Sequence, residues 1–342
     1  MSLTPATSDE RRQALKTLVH AVLGNAKWDT QGPSDLEVKL TRSPNNPIIM
    51  PRTALAWESK ATFNPGAVMN EGVVHILYRA LNDSNISSLG YAATIDGETI
   101  LHRSTEPVLS PNGPWEEFGC EDPRITAFEG TYYVFYTAFS RRGPRIALAS
   151  TTDFRKFERF GVVGPDYNDK DCALFPELVD GKVVVVHRIA PNIHLDLFDN
   201  IEQVKSSNPY WKDYLKHAEA KTLMKPLWKW EEKKIGIGPP PIRTDAGWIV
   251  IYHGVDSQNV YHAGAALLDL ENPRWVIARI PVPILDPEEE FERVGVVPNV
   301  VFPEGAVVMK DELKVFYGGA DRVCCVASVP MKLLIEALEG YS

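Results

Sequence analysis

The run Gly119-Cys120-Glu121-Asp122-Pro123-Arg124-Ile125 sets two carboxylates side by side, with a proline fixing the backbone and an arginine two residues after Asp122. A carboxylate next to a cation is suited to proton transfer, because the neighbouring charge tunes when the proton is released. The stretch that follows, Thr131 to Phe139, is rich in aromatic and β-branched residues and predicts a strand. On its own, such a run reads as a solvated turn capped by Asp122. Its recurrence argues otherwise.

Five segments of the chain align. Each has a polar or proline-bearing lead-in, an apolar stretch, a strand ending in an aromatic residue or histidine, and a strand of small residues. The lead-ins are Asn64-Pro65-Gly66, Glu121-Asp122-Pro123, Phe175-Pro176-Glu177, Pro239-Pro240-Pro241 and Phe302-Pro303-Glu304. The aligned second-strand positions are Tyr78, Tyr136, His187, Tyr252 and Tyr317, followed by Arg79, Thr137, Arg188, His253 and Gly318. A period of roughly 60 residues without helical spacing predicts one four-stranded sheet per repeat, and so an all-β, five-bladed β-propeller. In that fold equivalent positions converge on one axis. Asn64, Arg79, Asp122, Glu177, Arg188, His253, Glu304 and Asp321 are then expected near one funnel. A structural repeat needs apolar residues at equivalent positions, whereas a different polar residue at each one suggests a site. Tyr136 and Tyr252 could stack on sugar rings or pack in the core.

Outside the repeats, Leu15, Leu18, Val19, Val22 and Leu23 recur at helical spacing after Ser8-Asp9-Glu10. The expected domains are an N-terminal helical extension over 1–30 and one catalytic propeller over 31–342. A helical insertion is expected near 205–230, centred on Pro209 to Met224, and a short C-terminal helix over Met331 to Leu338. The insertion would shape a pocket or meet another subunit, so a homo-oligomer is possible.

Composition narrows the partners. The chain of 342 residues carries a net charge of −9, which disfavours a phosphate backbone as partner and so excludes nucleic acid. No run of about 18 apolar residues predicts a membrane span. The four cysteines have no zinc-ligand spacing, and no HxH or HxxxH pair or GxSxG elbow occurs, so no metal and no serine triad are expected. With no signal peptide in view, the reading is a cytoplasmic protein with reduced thiols.

Four runs taken together, GCEDPRIT…YYVFYTA, KDCALFPE…VVHR, KIGIGPPPIRT…GWIVIYHGV and VPNVVFPEGAVV…VFYGGAD, resemble glycoside hydrolase family 130 over roughly residues 60 to 330. The resemblance implies a five-bladed propeller and an inverting phosphorylase of β-mannosides (mannobiose or manno-oligosaccharides) yielding α-D-mannose 1-phosphate. It needs no cofactor beyond inorganic phosphate as co-substrate. It implies Asp122 as general acid, and Asn64, Arg79 and Asp321 on the mannosyl ring; Tyr136, Glu177 and Glu304 are further candidate substrate contacts on their repeat positions alone. Lys170, Arg188, Lys234 and His253, with His187 beside them, match the phosphate cluster. The alternatives are an inverting β-mannosidase, whose water would need a base such as Glu177 or Glu304, and a non-catalytic carbohydrate-binding propeller. A general acid is expected to carry a raised pKa.

Overall fold

Short apolar runs bounded by glycine, asparagine and aspartate turns form strands buried on both faces, and the chain folds into five antiparallel meanders. The computed structural model describes residues 37–342 apart from residue 207, so the expected N-terminal helix lies outside the described residues. The first meander runs Ala61–Asn70, Val73–Leu81, Ser87–Thr94 and His102–Arg103. The second runs Gly119–Phe128, Thr131–Ser140, Gly143–Thr151 and Glu158–Val162. The third comprises Lys170–Leu174, Val183–Ile189, Asn192–Phe198 and Thr222–Met224. The fourth comprises Lys234–Ile237, Gly247–Val255, Tyr261–Leu268 and Val276–Arg279. The fifth, Val301–Met309, Glu312–Gly319 and Val323–Pro330, takes its fourth strand from Thr41–Arg42, far away in sequence.

The expectation of a closed, all-β, five-bladed propeller is corrected by the strand pairing. The hydrogen-bonded sheets number four, with four, four, five and eight strands, and none closes on itself. Short α and 3-10 segments join them in a mixed α/β arrangement. The first and second meanders merge into the eight-stranded sheet through one parallel pair, Ser87 with Gly119. Gly119 permits this contact: its φ is +140°, and a Cβ there would meet Ser87 Cβ and O at 2.5 Å. A sequence period fixes strand spacing, not which edges pair.

The insertion also differs from its expectation. In place of one helix there are short turns, Ile201–Lys205, Asn208–Trp211, Tyr214–Lys216 and Ala218–Lys221, before the strand Thr222–Met224. Asp213 adopts the left-handed conformation (φ 64°), which a continuing helix cannot absorb. The C-terminal helix spans Met331–Gly340 and buries Leu334, Ala337 and Leu338. Among the described residues no helix is long and apolar enough to cross a membrane.

Four meanders are locked by the same buried triad. The aligned tyrosine of the second strand meets a glutamate just before the first strand and an arginine from the fourth. Tyr78 donates to Glu58 at 2.8 Å, and Arg103 donates to the same carboxylate at 2.7 Å. Tyr136 donates to Glu116 at 2.7 Å, with Arg159 at 2.8 Å. Tyr317 donates to Glu292 at 2.8 Å, with Arg42 also at 2.8 Å. Arg279 bridges Glu231 at 2.7 Å and Tyr252 at 3.0 Å. Each arginine stands opposite a small residue of the third strand, Ala92, Ala149, Ala327 or Ala266. Tyr136, 3 % exposed, is thus a structural pillar with its hydroxyl committed to Glu116, and Tyr252 is fully buried in the same way.

Candidate active site

The first strands of four of the five meanders break their ladder near one end. Register shifts fall between Phe63 and Pro65, Glu121 and Arg124, Lys170 and Ala173, and Pro303 and Gly305. A bulge re-aims the side chain it carries. The residues turned out of the ladders include Asn64 (φ 50°), Asp122 (φ 54°), Asp171 (φ 55°) and Glu304. Asparagine and aspartate tolerate this left-handed region better than bulkier side chains, which explains their use here.

Asp122 is 1 % exposed and fully engaged. Its Oδ1 accepts from Asn64 Nδ2 at 2.8 Å and from Arg79 Nη1 at 3.2 Å, and its Oδ2 accepts from Lys170 Nζ at 2.9 Å. Arg79 also donates to Glu121 Oε1 at 2.5 Å and to Ser87 at 2.9 Å, and its guanidinium lies 4.7 Å from the Phe63 ring centroid. Burial pushes the Asp122 carboxyl up, but Lys170 and Arg79 outweigh it and hold the group well below the usual carboxylate range. The raised pKa expected of a general acid is therefore not present in the free site. Asp321 behaves oppositely: burial lifts it to about 6 against the pull of Arg79.

Beneath Asp122, Arg124 is the buried hub. Its guanidinium donates to Gly238 O at 3.0 Å, Ile237 O at 2.9 Å and Asp122 O at 3.1 Å. Asp171 and Glu304 flank it at 3.4 and 3.6 Å. Burial keeps the Glu304 carboxyl well above its ordinary value despite Arg124, and neither of its oxygens has a hydrogen-bond partner among the described residues.

A cationic group lies alongside. Lys170 and Arg188 are register partners on adjacent strands. Arg188 Nε lies 2.6 Å from Asp171 Oδ2, and His253 Nε2 lies 3.7 Å from the same oxygen. Gly236 makes room for this contact, since a Cβ there would meet the His253 ring at 2.4 Å and Asp171 Oδ2 at 2.5 Å. His253 is fully buried, and burial keeps its imidazole neutral. Lys234 Nζ sits 5.2 Å from the Tyr261 ring centroid. Burial and the nearby Arg188 lower its pKa to about 8. These pulls show that Lys170, Arg188 and Lys234 share one electrostatic neighbourhood inside an acidic protein.

Two expected members lie elsewhere. Glu177 is exposed and pairs with Arg243 at 2.7 Å. The third meander's turned-out acid is Asp171 instead. Its distance from the aligned His187, sixteen residues, is closer to the fourteen that separate Asn64 from Tyr78 and Asp122 from Tyr136. His187 points away from Arg188, as neighbours on a strand must. It is fully buried, with Nδ1 2.7 Å from Asp169 and Nε2 2.9 Å from Asp196. Sequence reasoning also missed Tyr261, whose hydroxyl feels Lys170, Arg188 and Asp321. A turn-proximal tyrosine outside the repeat frame gave no signal. Among the described residues no group of three or more His, Cys, Asp and Glu could hold a metal ion.

Two carboxyl groups face the His187 ring, an arrangement that the doubly protonated imidazolium satisfies with both of its N–H donors. Burial opposes that charge, but Asp169 and Asp196 raise the pKa to about 10. A raised folded-state pKa gives stability that is complete below the unfolded value of about 6.5 and lost as pH rises towards 10. The stability gap between wild type and His187→Gln, from urea unfolding, is therefore expected to narrow between pH 6.5 and 10. A gap independent of pH would contradict the charged imidazolium.

The model of glycoside hydrolase family 130, described as β-1,4-mannooligosaccharide phosphorylase, matches residues 39–339. The chain is 42 % identical to a 1,2-β-oligomannan phosphorylase of Thermoanaerobacter sp. (strain X514), over 86 % of this chain and 98 % of that protein. It is 39 % identical to a β-1,2-mannobiose phosphorylase of the same organism, over 85 % and 97 %. Among solved structures, a β-1,2-mannobiose phosphorylase from Listeria innocua in complex with β-1,2-mannobiose superposes with a TM-score of 0.75 at 26 % identity, covering 88 % of this chain and 99 % of that one.

Proposed function

The chain belongs to glycoside hydrolase family 130, and from that premise we propose that it catalyses inverting phosphorolysis of β-mannosides to α-D-mannose 1-phosphate. It is an enzyme of the phosphorylase type. The observation that carries the reading is the gathering of Lys170, Arg188 and Lys234 around neutral His253, next to the Asp122 carboxylate. Lys234 has no ion-pair partner among the described residues. Phosphate competes with water for binding, so several cations are needed to hold it, and arginine offers two parallel donors.

In this reading Asn64, Arg79 and Asp321 hold the mannosyl ring, and Asp122 protonates the leaving oxygen. Phosphate, held by Lys170, Arg188, Lys234 and His253, attacks the anomeric carbon from the opposite face in one displacement. Asp122 is ionised in the free site, so it must gain a proton before it can give one. A phosphate anion drawn to Lys170 weakens the strongest cationic hold on Asp122, and so raises its pKa in the ternary complex. The hydrolytic alternative draws less support from the site: Glu177 is exposed and paired with Arg243, and burial holds the Glu304 carboxyl well above its ordinary value. His187 and Tyr136 are left out of the proposed site.

For the linkage we infer β-1,2, following the names of the two relatives at 42 % and 39 % identity. A cavity of about 520 Å³ lined by Lys60, Val294, Gly295, Val296 and Arg322 adjoins Asp321 along the chain and could receive the acceptor sugar. Four buried free cysteines support a reducing, cytoplasmic setting. In a panel of β-1,2- and β-1,4-mannobioses, mannose 1-phosphate is expected only with phosphate present, and fastest from the β-1,2 sugar. Free mannose released at an equal rate without phosphate would overturn the reading.

A further inference from the structure

The third meander lacks the triad that locks the other four. Its aligned residue is His187, not tyrosine, and its lead-in acid is Asp169, not glutamate. The third-strand position two residues beyond the one paired with the aligned residue is alanine in the other meanders, facing arginine. Here it is Asp196. The fourth strand, Thr222–Met224, brings no arginine. The charge is thus inverted: the arginine is gone, an acid stands where the small residue was, and His187 supplies the missing positive charge between the two carboxylates.

The exchange has two consequences in space. Asp196 is the anchor of the insertion: Tyr214 donates to it at 2.7 Å and Tyr210 at 2.6 Å. Asp169, on the other side of the imidazole, immediately precedes Lys170. Lys170 and Arg188 are register partners, so the ring of His187 and the guanidinium of Arg188 leave opposite faces of the same strand pair. The His187–Asp169 bond therefore pins the chain at the residue before Lys170, just ahead of the bulge between Lys170 and Ala173.

We infer that His187 is a positioning residue: through Asp169 it fixes Lys170 and Arg188 for phosphate, and it ties the 201–221 insertion to that strand pair. The inference rests on the phosphorolytic reading of the site. A misplacement of about 1 Å in a group that holds a reactant can cost on the order of a hundredfold. His187 touches neither reactant, so its loss should appear selectively in phosphate binding.

The test is His187→Gln, with folding checked by circular dichroism and the Michaelis constants for phosphate and mannobiose measured separately. The phosphate KM is expected to rise about tenfold or more, with the mannobiose KM within about twofold. Should this variant fail to fold, Asp169→Asn, which keeps shape and removes the charge that His187 holds, carries the same expectation. An unchanged phosphate KM in the folded variant, or both KM values rising together, would overturn the inference and leave His187 a packing residue. A wild-type enzyme indifferent to phosphate would instead overturn the underlying reading, and this inference with it.

Discussion

Asp122→Asn is expected to lower kcat by a factor of about 10² to 10⁴, the usual contribution of a positioned acid, while the protein stays folded. Asparagine preserves the shape of the side chain, and its amide oxygen in the Oδ1 position can still accept from Asn64 and Arg79, while its NH2 group meets the Lys170 ammonium. It cannot carry the transferable proton. It also leaves Lys170 without the acid that balances it, Arg79 keeping Glu121, so some loss of stability accompanies the loss of turnover. Phosphate binding measured by calorimetry distinguishes the two effects. Retained binding with lost turnover is the expected pattern, since freeing Lys170 from Asp122 makes it more available to phosphate. Turnover within about tenfold of wild type would remove Asp122 from the role of acid.

Arg124→Met is expected to destabilise the protein by roughly 3–5 kcal/mol, read as a lower urea midpoint. Methionine fills much of the volume, but the guanidinium does more than fill space. It satisfies the carbonyls of Ile237, Gly238 and Asp122, which belong to two meanders, and it offsets Asp171 beside it. Removing it leaves buried acceptors without donors and a buried carboxylate short of a counter-charge. The Asp122 carbonyl is one of those acceptors, so the left-handed backbone that aims Asp122 loosens as well, and kcat should fall with stability. Loss of less than about 1 kcal/mol would mean that water replaces the guanidinium and that the hub is dispensable.

The sequence by itself determined the five-fold period and the strand content of each repeat, and it marked polar candidates at the lead-ins of Asn64, Asp122 and Glu304. Those features follow from local chemistry: short apolar, β-branched and aromatic runs make strands buried on both faces, and asparagine, aspartate and proline make the turns and bulges between them. Asn64, Arg79, Asp122, Arg188 and His253 could be named as candidates because each sits at a recurring place in its repeat, whereas Lys170 and Lys234 could be named only through the family resemblance. What only the tertiary structure decided depends on register and on edges. A shift of one residue turns a side chain to the opposite face, which separates His187 from Arg188, and an alignment six residues off exchanged exposed Glu177 for buried Asp171. Tyr136 became a pillar because Glu116 and Arg159, from two other parts of its meander, claim its surroundings. Sheet closure was not legible, since a single close approach of Gly119 to Ser87 joins two repeats into one sheet. The low pKa of Asp122 was hidden as well. Electrostatics acts through space, and the cations that set it, Lys170 and Arg79, lie 48 and 43 residues away along the chain.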